Sequence, residues 1–196
     1  MISYFIIYKP YGVLSQFTSV LNKQTLKNFF DVPRDVYAIG RLDEDSEGLL
    51  ILTNDKSLNN KLLNPFFEHT REYLVQVDGA ITKDAVMLLQ QGVEISSDGK
   101  MYKAKKCVVE IMNEEPNVAE RNPPIRKRKN IPTSWVKIKL KEGKNRQVRK
   151  MCAKVGFPVL RLIRIAIEDI ELGKLQPGEM IQLSKNVVHK KLFKHE

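Results

Sequence analysis

The chain has 196 residues with 42% hydrophobic content, enough for one ordinary domain or two small halves sharing a cleft, and this excludes a disordered chain. A formal net charge of +10 points to a polyanionic partner, nucleic acid ahead of membrane. No run approaches the roughly 18 apolar residues of a membrane span, and the first ten residues lack the basic-then-apolar plan of a signal peptide.

Two cysteines, Cys107 and Cys152, form no CxxC pair and support neither a metal site nor a disulfide framework. Cys152 falls at an apolar helical position and reads as a small core residue. His69, His189 and His195 have no ligand-like spacing. The expectation is a cytoplasmic monomer with no metal and no cofactor.

Ile2 to Tyr8 is a strand-like apolar run, closed by the turn residues Pro10 and Gly12. Lys9 then stands at a strand end, a natural place for a phosphate contact. Asn22 to Phe30 reads as a short helix with Leu26, Phe29 and Phe30 on a core-facing stripe. Next comes Gly40-Arg41-Leu42-Asp43-Glu44-Asp45-Ser46-Glu47-Gly48, with four carboxylates between Asp43 and Glu47, running into Leu49-Leu50-Ile51-Leu52. The apolar half, closed at Asn54-Asp55, predicts a buried strand. The acidic half has three readings: a solvated turn, a Mg²⁺ site for a nuclease built on Asp43, Asp45 and Glu47, or chemistry by one carboxylate. Asp43 is the candidate for the last, because Gly40 lets the backbone turn sharply before it. The residues alone leave these open.

Asp55 can cap a helix over 56–63, with Leu58 and Leu62 stacked at i,i+4 and Asn64-Pro65 ending it. Arg71 to Val77 alternates, placing Tyr73, Val75 and Val77 on one face, and Asp78-Gly79 supplies a turn. Thr82 caps a helix to about Gln91, which Gly92 stops. Val93 to Ser97, Asp98-Gly99 and Met101 to Met112 predict a hairpin. Residues 113–133 carry prolines 116, 123, 124 and 132 and read as a loop. Within it, Arg126, Lys127, Arg128 and Lys129 suit tracking of phosphates.

Trp135 to Lys141 alternates Val136, Ile138 and Leu140 against Trp135, Lys137 and Lys139. Trp135 suits either base stacking or packing under the loop. In Glu142 to Met151, Asn145 is the expected helix cap and Gly156 the stop. Val148, Met151, Cys152 and Val155 form an apolar stripe, with Arg146, Arg149, Lys150 and Lys154 on the adjoining face. Phe157 to Ile167 predicts a strand in which Arg161 and Arg164 interrupt apolar residues. Met180 to Leu183 predicts a last short strand. The tail 185–196, with four lysines and two histidines, reads as a short helix or frayed end.

The Gly40-Arg41-Leu42-Asp43 loop, with Ser46 and the following Gly48-Leu49-Leu50, resembles the signature loop of the pseudouridine synthases, specifically the RsuA family. The resemblance extends over most of the chain. Lys9-Pro10-Tyr11-Gly12 resembles the family's opening element, with Tyr8 where Asn is common. Arg71-Glu72-Tyr73-Leu74-Val75 resembles its basic-x-Tyr-x-Val element, with Arg71 for the commoner Lys. Glu142-Gly143-Lys144-Asn145-Arg146-Gln147-Val148-Arg149-Lys150-Met151 reproduces its third motif without departure.

The resemblance implies that Asp43 is the catalytic carboxylate, that Tyr73 packs against the target uracil and that Arg149 pairs with the aspartate. The expected RNA-binding residues are Lys9, Arg41, Arg126, Lys127, Arg128, Lys129, Lys144, Asn145, Arg146 and Lys150. The implied fold is α+β, a largely antiparallel mixed sheet with flanking helices, its two subdomains around a basic cleft. One catalytic domain would span 1–184 with a seam in 55–75, followed by the basic tail 185–196 and preceded by no S4 RNA-binding domain. The implied reaction is isomerisation of one uridine of large-subunit (23S) ribosomal RNA to pseudouridine. A non-catalytic rRNA-binding or assembly factor would keep the basic surface, but Asp43, Tyr73 and Arg149 together in register argue against it.

Overall fold

The computed structural model describes residues 1–97, 99–125 and 131–193. Arg126, Lys127, Arg128, Lys129 and the turn residue Asp98 lie outside them. The strands are β1 (Tyr4–Lys9), β2 (Val13–Leu14), β3 (Gln24–Thr25), β4 (Tyr37–Ile39), β5 (Glu47–Thr53), β6 (Arg71–Asp78), β7 (Glu94–Ser97), β8 (Lys100–Lys103), β9 (Val108–Ile111), β10 (Thr133–Leu140), β11 (Val159–Ile167), β12 (Ile170–Glu171) and β13 (Met180–Leu183). The α-helices are α1 (Lys56–Leu63), α2 (Lys83–Gln91), α3 (Gln147–Lys154) and α4 (Lys185–Leu192). The chain divides into two units, Met1–His69 with Ile163–Glu196, and Thr70–Leu162.

The first unit is built on β5. All seven of its residues are buried, as a run of Leu and Ile flanked by turn signals requires. β1 lies antiparallel to it, with Tyr4 opposite Thr53 and Lys9 opposite Gly48, and β13 pairs antiparallel on the far side of β1. β4 pairs antiparallel with the end of β5, and β11 runs parallel to its start, Ile163 opposite Glu47 and Arg164 opposite Gly48. Gly48 belongs there for a steric reason. Its φ is +105°, and a Cβ would overlap the Arg164 carbonyl oxygen. Phe5, Ile7, Leu50 and Leu52 form a core with Val13, Leu26, Phe30 and Val36.

Asp55 caps α1 as expected, accepting from Ser57 N at 2.9 Å and Leu58 N at 3.3 Å. The same carboxylate accepts from Tyr4 Oη at 2.7 Å, which joins the first strand to the first helix. The tail begins with a capped helix: Ser184 Oγ accepts from Val187 N, and Val188 and Leu192 of α4 are buried.

In the second unit β6 and β10 pair antiparallel along their whole length, from Thr133–Asp78 to Leu140–Arg71, and β9 pairs on the other side of β10. Tyr73, Val75, Val77, Val136, Ile138 and Leu140 join α2 and the α3 stripe of Val148, Met151 and Cys152 in one core. Thr82 caps α2 through Ala85 N at 3.2 Å. The architecture is therefore α+β, its sheets largely antiparallel, with β5–β11 and β2–β3 running parallel.

Three expectations need correction. The helix over 22–30 shrinks to a single 3₁₀ turn, Leu26–Asn28. Asn22 is left-handed, and Asn28 Oδ1 accepts from Thr25 N at 2.8 Å, so side-chain turns displace helical bonds. Leu26 and Phe30 are buried, but Phe29 is not. The long second arm of the 93–112 hairpin is two strands. β8 pairs with β7, then residues 104–107 cross the end of α2, with Cys107 N donating to Gln90 O, and β9 turns to pair with β10. Asn145 does not cap α3; the cap position is Arg146, in the left-handed region at φ 50°.

Candidate active site

In the first unit, Asp43 sits on a tight turn between two buried residues. Leu42 and Ser46 are buried, Asp43 is half-buried, and Ser46 N donates to Asp43 O at 3.0 Å. The turn is held by the segment after β1. Gly12 N donates to Glu44 O at 2.8 Å, and Ser15 Oγ bonds both backbone groups of Leu42. Lys23 pairs with Glu44 at 2.6 Å, but both are largely exposed, so this bridge adds little. Arg41 is exposed beside the turn.

Lys9 is fully buried, unlike the surface phosphate contact expected of it. Its ammonium donates to Val13 O at 2.7 Å and Pro10 O at 2.9 Å. Burial pulls its pKa down to about 8, against the opposing pull of Glu47, Asp45, Asp43 and Glu44. The charge thus serves the acidic loop from inside. Glu47, itself buried, exerts the largest of those opposing pulls.

In the second unit, Tyr73 lies opposite Ile138 in the middle of β6 and belongs to the core, 9% exposed. Arg149 is half-buried on α3, beside the stripe expected of it. Lys144, Asn145 and Arg146 are exposed on the preceding loop, and Lys150 Nζ donates to Asn145 Oδ1 at 3.1 Å. That loop is braced from below rather than by a cap. The buried Glu142 carboxylate accepts from Tyr102 Oη, Gln147 Nε2 and, at 2.8 Å, Lys105 N. Gln147 Oε1 in turn accepts from Lys144 N at 3.0 Å, and Lys144 Nζ lies 4.8 Å over the Tyr102 ring. Trp135 is buried, which decides for packing over exposed stacking, and its companions Lys137 and Lys139 both pair with Glu72.

The structure thus gathers Lys9, Arg41 and Asp43 around one loop, and Lys144, Asn145, Arg146, Arg149 and Lys150 around another. Arg126, Lys127, Arg128 and Lys129 lie outside the described residues. Sequence reasoning missed Ser15, Tyr102 and the bracing role of Glu142. Ser15 gave no signal, being one polar residue in a polar loop, whereas Glu142 stood inside a recognised motif. Arg164, noticed only as an interruption in an apolar strand, is buried with Nε donating to Leu49 O at 2.8 Å, next to the strand that Asp43 precedes. Among the described residues no three His, Cys, Asp or Glu side chains are grouped as a metal ion would require, and no helix is long and apolar enough to cross a membrane.

A family model described as RNA pseudouridylate synthase matches residues 3–154. Over 171 residues the chain is 51% identical to ribosomal large subunit pseudouridine synthase E of Vibrio parahaemolyticus, covering 87% of this chain and 69% of that protein. It is 46% identical to the protein of the same name from Xanthomonas axonopodis, covering 86% and 87%. Similarity to ribosomal large subunit pseudouridine synthase B of Bacillus subtilis is 32% over 186 residues, covering 94% and 69%. Among solved structures, a pseudouridylate synthase crystal structure superposes with a TM-score of 0.78 at 26% identity, covering 98% of this chain and 74% of that one.

Proposed function

Because the chain belongs to the RNA pseudouridine synthase family, we propose that it isomerises one uridine of large-subunit (23S) ribosomal RNA, with Asp43 as the catalytic carboxylate. The observation that carries this reading is the position of Asp43: half-buried, on a turn whose backbone is tied at Leu42, Asp43 and Glu44. A carboxylate held this way is oriented before substrate arrives, which is what proximity catalysis needs.

The N1–C1′ bond of the uridine breaks, the uracil turns while bound, and C5 bonds to C1′; the C5 hydrogen is lost and N1 gains a proton. Product and substrate have the same atoms, so no redox equivalent or group donor is consumed, and the protein acts as a monomer. The target must first leave its stack, at a cost of about a few kcal/mol, and phosphate contacts offset this. Arg41, Lys144, Asn145, Arg146, Lys150 and the Arg126–Lys129 run supply those contacts. Tyr73 offers its ring to the uracil, and Arg149 is the positively charged partner that orients Asp43, as the family resemblance implies. Lys9 supports the loop from within.

Pseudouridine mapping on an unmodified 23S transcript, before and after incubation with the protein, tests the reading. A single new pseudouridine is expected; none, with the protein folded and bound to the transcript, overturns it.

A further inference from the structure

Leu63 to Glu68 is a run of six exposed residues, half of them apolar, ending at the buried His69. Leu63 is 43% exposed, Phe67 41% and Phe66 84%. Single exposed apolar residues are ordinary, but two neighbouring rings held outward on one short turn are not.

The turn is rigid. Pro65 opens the 3₁₀ turn Pro65–Phe67, Asn64 Oδ1 accepts from Phe66 N at 3.0 Å, and Glu68 N donates to Pro65 O at 3.3 Å. Phe67 is anchored from behind. Its ring stacks on His69 at 6.0 Å, His69 Nδ1 lies 3.2 Å from Glu168, and the Phe193 ring meets His69 edge-on at 5.6 Å. Phe66 makes an edge contact with Phe67 at 5.8 Å and otherwise presents its ring outward.

The ledge adjoins the catalytic loop. Gly40, which opens that loop at φ +67°, lies against the ledge: a Cβ there would sit 3.1 Å from Leu63 Cδ2. One cation lies behind it: Lys61 Nζ sits 4.9 Å from the centroid of the Phe193 ring, which packs on His69. Glu68 is the exposed acid on the turn. In a chain of net charge +10 the matching occupant is a polyanion that also carries flat apolar faces. Single-stranded RNA has both, because every base has a π-face and every linkage a phosphate.

We propose that Leu63, Phe66 and Phe67 form a ledge on which unpaired bases flanking the target uridine stack, with Phe66 as the principal contact. The proposal rests on the pseudouridine synthase reading for the identity of the RNA. Stacking there would hold the neighbouring nucleotides open while the target is extruded, lowering the cost of unstacking it.

The test measures affinity for an unmodified 23S transcript and for a short single-stranded oligoadenylate, using Phe66→Ala, Phe66→Leu and Phe66→Trp. Phe66 is exposed, so all three variants should fold, as circular dichroism will check. Phe66→Ala and Phe66→Leu should bind both RNAs about 10-fold more weakly, and Phe66→Trp as tightly as the parent. The salt dependence should be unchanged, because no phosphate contact is lost. Parental affinity in Phe66→Ala or Phe66→Leu overturns the proposal. So does sedimentation showing a parental dimer that Phe66→Ala dissolves, which would assign the ledge to a second copy. The parent's activity on the same transcript judges the underlying reading separately. An inactive parent whose RNA binding still depends on the Phe66 ring defeats that reading and leaves the ledge standing. An active parent indifferent to Phe66 defeats only the ledge.

Discussion

Ser15 Oγ holds both backbone groups of Leu42, accepting from Leu42 N at 3.1 Å and donating to Leu42 O at 2.7 Å. Leu42 is buried and immediately precedes Asp43, so this hydroxyl replaces the sheet bonds the loop lacks and fixes where the carboxylate begins.

Ser15→Ala leaves both groups of Leu42 unsatisfied, at a cost of about 1–3 kcal/mol if the loop stays in place. The loop should instead loosen. Single-turnover rate at saturating RNA should fall about 10-fold while affinity for the transcript is kept, and Ser15→Thr should restore the rate. A fall in melting temperature with an unchanged saturated rate would make Ser15 a structural residue only.

Asp55 supports the fold. Burial pushes its pKa up, but hydrogen bonds from Tyr4, Ser57 and Leu58 outweigh that and bring it down from 3.8 to about 2. The unfolded chain therefore binds this proton first as pH falls. The stabilisation, about 2 kcal/mol, is present above pH 3.8 and disappears on acidification toward 2. Denaturant melts of Asp55→Asn should show lower stability at neutral pH and a shallower decline between these values than the parent. Parallel declines would remove Asp55 from the acid response.

Tyr102 should matter to the loop carrying Arg146, through Glu142. Its hydrogen bond to Glu142, then burial, raise its pKa to about 12. The bond's contribution is complete below pH 10, the ordinary tyrosine value, and is lost as pH rises toward 12. Tyr102→Phe should weaken RNA binding by destabilising the Lys144–Arg146 loop, with increased hydrogen exchange at Lys105 and Lys144 amides. Unchanged exchange there would mean that Gln147 alone braces the loop.

The basic residues separate by a rate measurement. Lys144→Gln or Lys150→Gln should weaken binding and lower the log–log salt slope by about 0.7 per single-strand phosphate contact, with the rate recovering at saturating RNA. Arg149→Met should stay slow at saturation. Rescue of Arg149→Met by more RNA would make it one further phosphate contact.

Much of this was legible in the sequence because local rules and tertiary demands agree. The Leu49–Leu52 run could only be buried, and Asp55 and Thr82 each cap the helix that follows. The family motifs single out Asp43, Tyr73 and Arg149 as the residues proposed for the site. Legibility failed where long-range bonds decide. Nothing near Ser15 in sequence points to Leu42, 27 residues away, or near Tyr102 to Glu142, 40 away. Lys9 shows the same failure in another form. A strand-end lysine ordinarily reaches solvent, but Val13 and Pro10 turn back over this one and offer it carbonyls. Asn145 had the right chemistry for a cap, but the left-handed Arg146 and the Gln147–Glu142 bond set the start of α3 instead.

The assignment of the chemistry to one carboxylate, Asp43, stands or falls on a comparison of two variants. Single-turnover pseudouridine formation at saturating 23S transcript should be measured for Asp43→Asn and Asp45→Asn, alongside their RNA affinity and melting temperature. Asp43→Asn is expected to bind RNA and melt like the parent but form no pseudouridine, while Asp45→Asn keeps most of its activity. Pseudouridine formation by Asp43→Asn at the parental rate, or equal loss in both variants, would contradict the assignment.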